Sequence, residues 1–133
     1  MIDNRLMVHV NVAGVIMMVI QNYEPYAGSN LTLPCYTTLS TGVKWVFEPS
    51  GPIRSLSSTI YENGRIRKKF RSRFTIRKLF PGFYDLVINT VLFGDKGNYT
   101  CIENNGLGNK HIRILSVEGK SLYKTTIYVL NLN

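Results

Sequence analysis

The two cysteines of this chain, and the residues around them, constrain its fold more than any other feature. Cys35 is followed by Trp45, and Cys101 closes the run Asp95-Lys96-Gly97-Asn98-Tyr99-Thr100-Cys101. A pair of cysteines can form a disulfide, which persists only in an oxidising compartment, or it can remain as two free thiols in the core of a cytosolic protein. The pattern around the cysteines therefore bears on the compartment as well as on the fold.

Short extended segments separated by turn signals fill the chain, which shows no helical period of useful length. Val43–Phe47 is predicted as the strand that carries Trp45. Ile53–Tyr61 and Arg65–Phe70 are predicted as antiparallel strands around Asn63-Gly64, because both turn residues tolerate positive φ. The remaining strands are expected at Val15–Ile20, Asn30–Cys35, Arg73–Ile76, Tyr84–Val91, Asp95–Cys101, His111–Val117 and Leu122–Leu130.

The chain has 133 residues, of which 44% are hydrophobic, so it is long enough for one domain with a core. We expect a single domain over residues 1–133, in which residues 1–14 are an N-terminal strand or tail. Leu6–Ile20 is apolar but interrupted by polar residues, and it is too short and too polar to span a bilayer. A signal-peptide remnant is the alternative for this stretch. No membrane insertion by this chain is expected.

In combination, these residues resemble the V-set (variable-type) domains of the immunoglobulin superfamily, from about Gly28 to Leu130. The matching segments are Gly28–Cys35, Lys44–Val46, Arg73–Ile76, Leu86–Ile88 and Asp95–Cys101. The resemblance implies an all-β, immunoglobulin-like β-sandwich with a V-type Greek key and one inter-sheet disulfide. The hairpin at Asn63-Gly64 agrees with a variable-type domain, because constant-type sandwiches lack it.

The resemblance implies that Cys35 and Cys101 form the inter-sheet disulfide and that Trp45 packs on it. Closing this loop would stabilise the fold by about 4 kcal/mol on a chain-entropy model. The bond would also place the protein outside the cell or on its surface, since it persists only in an oxidising compartment.

The resemblance also implies structural roles for three residues at one end of the sandwich. The Tyr99 hydroxyl would hydrogen-bond back to the chain near Gly94 or Asp95. Arg73 and Asp95 look like the V-set arginine–aspartate pair, so we do not count Arg73 among ligand-binding charges.

Two departures from antigen-receptor domains argue against antibody-style pairing. Glu48 stands where those domains resemble one another in a glutamine, and the last strand, taken as Ser121–Leu130, lacks their Phe-Gly-x-Gly segment. Ile102–Lys120 is long for a third hypervariable-like loop, and a hairpin extension is the alternative there. The chain therefore looks like a divergent V-set receptor or secreted recognition protein.

The function that the resemblance implies is ligand recognition by an immune-type receptor or a secreted immune protein. Binding residues concentrate on the loops at the ends of a rigid sandwich. These end loops are expected at Thr37–Lys44, Ser57–Arg65 and Glu103–Lys110. The alternative is a cell-adhesion domain that homodimerises through the sheet face of the Trp strand, with Val46, Tyr123 and Tyr128 as anchors.

A basic segment provides a second candidate binding surface. The chain has 16 basic and 8 acidic residues, and half of the basic ones fall within Arg65–Lys78. The candidate ligand-binding residues are Arg65, Arg67, Lys68, Lys69 and Arg71. Most of them would line one face of a strand and suit an anionic glycan or a microbial surface. The alternative is a solvated edge strand whose charge prevents aggregation.

Two N-glycosylation sequons begin at Asn30 and Asn98, and strand alternation places both side chains outward. We expect no enzyme activity, no cofactor and no metal site, because His9 and His111 lack metal-ligand spacing and no nucleophile motif is present. His111 is predicted to be a surface residue at the start of a strand. Nucleic acid is not an expected partner, because the basic segment lacks interleaved aromatic residues.

Overall fold

The computed structural model describes residues 4–11, 14–51 and 56–119, with side chains from residue 17 onward. The strands are β1 (Asn4–Asn11), β2 (Gly14–Tyr23), β3 (Leu31–Leu33), β4 (Val43–Pro49), β5 (Ser58–Glu62), β6 (Arg65–Ile66), β7 (Phe74–Arg77), β8 (Asp85–Ile88), β9 (Gly97–Ile102) and β10 (Lys110–Leu115). Short helical turns lie at Lys68–Phe70, Phe93–Asp95 and Glu103–Gly106.

The strands form two sheets. One sheet has the order β1-β2-β10-β9-β4-β5-β6, and the other has the order β3-β8-β7. Alternate residues of the central strands point between the sheets and form one buried cluster. The smaller sheet contributes Leu33, Leu86 and Ile88, the larger sheet contributes Trp45 and Tyr99, and all five are fully buried. The predicted all-β sandwich is confirmed.

The hairpin predicted at Asn63-Gly64 joins β5 to β6, and the two turn residues have φ angles of 53° and 78°. The returning strand predicted over Arg65–Phe70 is wrong in length, because β6 ends at Ile66 and a 3-10 turn follows. The chain bends inward at this point because Phe70 is buried, with its ring edge-on to that of Phe74 at 5.3 Å between centroids. The basic side chains of this segment therefore do not line one face of a strand.

Among the described residues, the last strand of the larger sheet is β10, which pairs antiparallel with β9 and parallel with β2. The strand predicted at His111–Val117 is thus present, while the last strand predicted at Ser121–Leu130 stays a prediction. The connection from β9 to β10 spans only residues 103–109. The predicted strand Leu122–Leu130, with Tyr123 and Tyr128, lies outside the described residues.

The first strand predicted at Val15–Ile20 lies inside β2, and β1 pairs with it in an antiparallel hairpin. Residues 1–3, 12–13 and 52–55 lie outside the described part. The predicted strand Ile53–Tyr61 is therefore described only from residue 56, and in that part the strand begins at Ser58. Among the residues described, no helix is long and apolar enough to cross a bilayer.

Candidate functional site

The centre of the sandwich is a disulfide covered by an indole ring. Cys35 and Cys101 are bonded across the two sheets and are essentially inaccessible to solvent, which confirms the predicted inter-sheet disulfide. Trp45 lies in register with Cys101 on the neighbouring strand and is fully buried. Its Nε1 donates a hydrogen bond of 2.8 Å to the carbonyl oxygen of Tyr84, so the one polar atom of the indole is satisfied inside the core.

One end of the sandwich is closed by a tyrosine hydroxyl and an ion pair. The Tyr99 hydroxyl donates to the carbonyl oxygen of Asp95 at 2.6 Å, and burial raises the pKa of Tyr99. The two terminal nitrogens of Arg73 each donate to one carboxylate oxygen of Asp95 at 2.8 Å. The hydrogen bonds to Asp95 raise the pKa of Arg73 above its ordinary value. Because these side chains are committed to bonds within the domain, we assign them a structural role.

The outer face of the larger sheet carries an apolar row. Ile112 is in register with Ile20 on one side and with Thr100 on the other, and Thr100 is in register with Val46. Thr59 of β5 continues the row. All five side chains are half-buried and point away from the core, since their strand neighbours Trp45, Cys101 and Arg113 point inward. We call this row the outer sheet face.

Polar residues flank the outer sheet face on both sides. Glu48 and Asn98 form the next register pair on β4 and β9 towards one end, and both are exposed. Lys44 and Lys110 lie towards the other end, both in register with Ile102. An apolar centre with a charged and polar rim is the usual anatomy of a protein–protein interface.

The candidate basic residues gather around two open cavities at the β5–β6 edge. Four of them, with Glu62, line a cavity of about 440 Å³: Arg65, Arg67, Lys68 and Arg71. Lys69 instead lines a neighbouring cavity of about 430 Å³ and donates to Ser58 Oγ at 3.3 Å. We call these five side chains the basic surface.

The basic surface is partly committed to internal contacts. Arg67 donates to Glu62 at 2.8 Å, and this bond, with the charge of Lys44, lowers the pKa of Glu62. Arg71 Nε donates to the carbonyl oxygen of Ile66 at 2.9 Å. The structure therefore assembles a cationic surface with one carboxylate inside it, and its shape comes from a turn instead of the predicted strand.

Comparison with known proteins identifies the family. The model of the immunoglobulin domain family matches residues 21–114. The chain belongs to the immunoglobulin domain family. The match ends within β10.

Solved immunoglobulin domains share the fold at low sequence identity. The extracellular domain of the voltage-gated sodium channel beta4 subunit, described as a parallel homodimer in cell–cell adhesion, is 20% identical, with a TM-score of 0.57 over 76% of this chain and 92% of that chain. Murine CRIg is 23% identical, with a TM-score of 0.52 over 87% and 98%. The RIG-5 IG1 homodimer is 18% identical, with a TM-score of 0.57 over 73% and 89%.

Both sequon asparagines are exposed on this immunoglobulin domain. The side-chain oxygen of Asn30 accepts a hydrogen bond from the backbone of Thr90 at 2.9 Å. Asn98 is in register with Glu48 and Ile114 at the margin of the outer sheet face. A glycan on Asn98 would therefore stand beside the outer sheet face, whereas one on Asn30 would not.

Sequence reasoning missed two buried polar groups on β10. His111, predicted at the surface, is half-buried, and its Nε2 lies 3.0 Å from a carboxylate oxygen of Glu103. The other carboxylate oxygen of Glu103 accepts a hydrogen bond of 2.5 Å from the Thr37 hydroxyl. Arg113 is buried, donates to the carbonyl oxygen of Pro34, and has its pKa lowered by that burial. His111 lies opposite Cys101 on the neighbouring strand, and Arg113 is two residues further along β10, so strand alternation indicates that both side chains point inward.

Within the described ranges, no group of three or more histidine, cysteine, aspartate or glutamate side chains is placed to hold a metal ion. The absence of a cofactor and of catalysis, expected from the sequence, stays a prediction. The chemical capacity visible in this domain is non-covalent binding, through the outer sheet face, the basic surface and the loop end of the sandwich.

Proposed function

We propose that this immunoglobulin domain is an extracellular protein-recognition module that binds another immunoglobulin domain through its outer sheet face, with a second copy of itself as the first partner to test. The observation that carries the proposal is the apolar row across β2, β10, β9, β4 and β5. This inverts the order of preference from the sequence, which ranked the end loops above the sheet face.

The physical argument rests on the side chains in that row. Five strands about 4.8 Å apart make a face about 19 Å wide. Its isoleucine, valine and threonine side chains are β-branched and stiff, so they lose little side-chain entropy on binding. Apolar atoms at the centre would be desolvated, and the lysines and Glu48 at the rim would set orientation and specificity.

The related structures support a protein partner. The beta4 subunit and RIG-5 are described as homodimers, and ZIG-8 with RIG-5 as a heterodimer of first immunoglobulin domains. The disulfide supports an extracellular location, because a bond of this kind persists in oxidising compartments. A role in immunity, which the sequence predicted, stays a prediction.

Val46→Arg tests the proposal by placing a charge at the centre of the row. Val87→Arg is the matched control, because Val87 is also half-buried on a strand but belongs to the smaller sheet. The protein is made with Asn98→Gln, so that no glycan stands beside the face. Light scattering coupled to size exclusion should show a dimer, weakened at least about tenfold by Val46→Arg and not by Val87→Arg.

Two results would count against the sheet-face proposal. One is a protein that remains monomeric at about 100 µM, since a specific homodimer should form by then. The other is a dimer that survives Val46→Arg unchanged, which would place the contact on another surface.

A second candidate function is binding of an anionic polymer, such as a sulfated glycan, by the basic surface. The supporting observation is the cavity of about 440 Å³ that four cationic side chains share with one carboxylate. β6 is also an edge strand of the larger sheet, so a charge that prevents edge-to-edge aggregation remains the alternative.

Two double variants that remove the same charge distinguish binding at the cavity from a general effect of the protein's net charge. Arg65→Gln with Lys68→Gln removes two charges from the cavity, and Arg77→Gln with Lys96→Gln removes two exposed charges elsewhere. Elution from heparin should shift to lower salt only for the first pair. Equal shifts would show that net charge governs binding, and the basic surface would then be an aggregation guard.

A further inference from the structure

The loop end of the sandwich contains a small cavity that neither the outer sheet face nor the basic surface explains. It has a volume of about 220 Å³ and lies where the β3–β4 loop, the β5–β6 turn, the β7–β8 connection and the β9–β10 turn meet. Gly42, Tyr61, Lys78, Tyr84 and Asn105 are among the residues that line it. We call it the loop-end pocket.

An ammonium group is held over two aromatic rings in this pocket. The rings of Tyr61 and Tyr84 are 6.3 Å apart between centroids and inclined at 49°. Lys78 Nζ lies 5.0 Å from the Tyr84 centroid and 5.9 Å from the Tyr61 centroid. These cation–π contacts modestly favour a position of the exposed lysine over the rings, so its charge is directed towards the pocket.

A glycine opens the opposite side of the pocket. Gly42 has a φ of 86°, and its carbonyl oxygen accepts a hydrogen bond of 3.1 Å from the backbone of Asn105. A Cβ on Gly42 would lie 3.7 Å from Asn105 Oδ1 and 4.0 Å from the Tyr84 hydroxyl oxygen. The side-chain oxygen of Asn105, which is an acceptor, and the phenol oxygen of Tyr84 therefore both lie beside the space that a side chain at this position would fill.

The charge of Lys78 has no carboxylate beside it in the pocket. Among the described residues, none of those that line the cavity is acidic. The two nearby glutamates are committed elsewhere, since Glu62 pairs with Arg67 and Lys44, while Glu103 contacts His111 and Thr37. A cation without a counter-charge in the pocket, together with a phenol that can donate a hydrogen bond, is suited to accept a carboxylate.

We propose that the loop-end pocket binds one acidic side chain, aspartate or glutamate, of a protein ligand. The carboxylate would pair with the Lys78 ammonium and accept a hydrogen bond from the Tyr84 hydroxyl. A cavity of about 220 Å³ has room for one such side chain. This inference does not depend on the sheet-face proposal, because the two sites share no residue.

The test is a titration followed by the backbone amide signals in NMR spectra, with N-acetyl-glutamate amide as the probe and N-acetyl-glutamine amide as its neutral isostere. The acidic probe should shift the signals of Gly42, Gly64 and Asn105 in a saturable way, with a Kd on the order of millimolar for so small a ligand. The neutral probe should bind at least about tenfold more weakly, because it cannot pair with the lysine.

Two variants assign the effect to the pocket. Lys78→Gln should weaken binding of the acidic probe at least about tenfold, whereas Lys68→Gln, on the neighbouring basic surface, should leave it unchanged. Tyr84→Phe keeps the ring beneath the lysine and removes the hydroxyl, so it should weaken binding severalfold. All three positions are at least partly exposed, and the amide spectrum itself reports whether each variant is folded.

Three results would overturn the proposal. The first is equal binding of the acidic and neutral probes. The second is equal loss from Lys78→Gln and Lys68→Gln, which would indicate diffuse attraction to a basic protein. The third is the absence of saturable shifts at Gly42, Gly64 and Asn105. None of these results bears on the oligomeric state, so failure here is distinguishable from failure of the sheet-face proposal.

Discussion

The Arg73–Asp95 pair should contribute far more to stability than an exposed ion pair does. The side chain of Asp95 is only 8% exposed and accepts both bonds of Arg73 and a third, of 2.8 Å, from the backbone of Leu92. Asp95→Ala should lower the free energy of unfolding by about 3 kcal/mol, because charge-assisted bonds are lost and a guanidinium is left unpaired. The Arg73 side chain is 30% exposed, so water would hydrate it after the mutation, and the loss should not reach the upper end for buried pairs.

A double-mutant cycle isolates the pair itself. Urea unfolding of the wild type, Arg73→Ala, Asp95→Ala and the double variant, all with the disulfide intact, should give a coupling of about 2 kcal/mol. The cycle cancels the separate contacts of Arg73 with Thr90 and of Asp95 with Leu92. Because the pair is partly buried, the coupling should change little with salt. A coupling below about 0.5 kcal/mol would refute the reasoning, since that is what an exposed pair contributes.

Three other consequences of the structure can be measured. Replacing Cys35 and Cys101 by alanine opens a loop with a sequence separation of 66 and should lower the free energy of unfolding, measured in guanidinium, by about 4 kcal/mol. A loss below about 1 kcal/mol would contradict the chain-entropy argument. Gly97→Ala should lower the free energy of unfolding by at least about 2 kcal/mol, since the φ of Gly97 is 148° and a Cβ would press on the carbonyl oxygen of Glu48. An unchanged midpoint of denaturant unfolding would show that the backbone relaxes freely. Burial raises the pKa of Tyr99 above the ordinary value of 10.0, so the contribution of Tyr99 to the free energy of unfolding should be constant below pH 10 and fall as pH rises beyond it. Tyr99→Phe should therefore flatten the alkaline slope of stability against pH, and an equally steep slope in the variant would assign it to other groups.

The sequence was most informative where the signal is local. The turn at Asn63-Gly64 needs two residues that tolerate positive φ, and nothing distant competes with that requirement. Trp45, Tyr99 and the cysteines could be assigned because each has a distinctive side chain at a recognisable spacing. The ion pair of Arg73 with Asp95 was also predicted, from the resemblance to V-set domains.

The predictions that failed depended on contacts between distant segments. The returning strand was predicted too long because the burial of Phe70 against Phe74 bends the chain, and alternation within the segment carries no trace of that contact. The sequence did not predict that β10 pairs in parallel with β2, because that pairing joins strands from opposite ends of the described chain. His111 was expected at the surface, although its position opposite Cys101 turns it towards Glu103.

The candidate sites divide in the same way. The composition of the basic segment was readable from the sequence, but its arrangement around a cavity, with Glu62 inside it, was not. Val46 was recognised as a possible anchor, yet its row with Ile20, Thr100 and Ile112 requires the register of four strands. Lys78 and Tyr84 gave no signal at all, because a pocket between loops exists only when several connections meet.

The sequence alone therefore determined the family, the disulfide, the closing ion pair and the β5–β6 hairpin, since each depends on a few distinctive residues at short or fixed spacing. Tertiary structure decided that β10 pairs with β2, which face of the larger sheet is apolar and where Lys78 lies. These features depend on strand register and on loops brought together from distant parts of the chain, and an alternating pattern is the same for either face of a sheet until its partners are known.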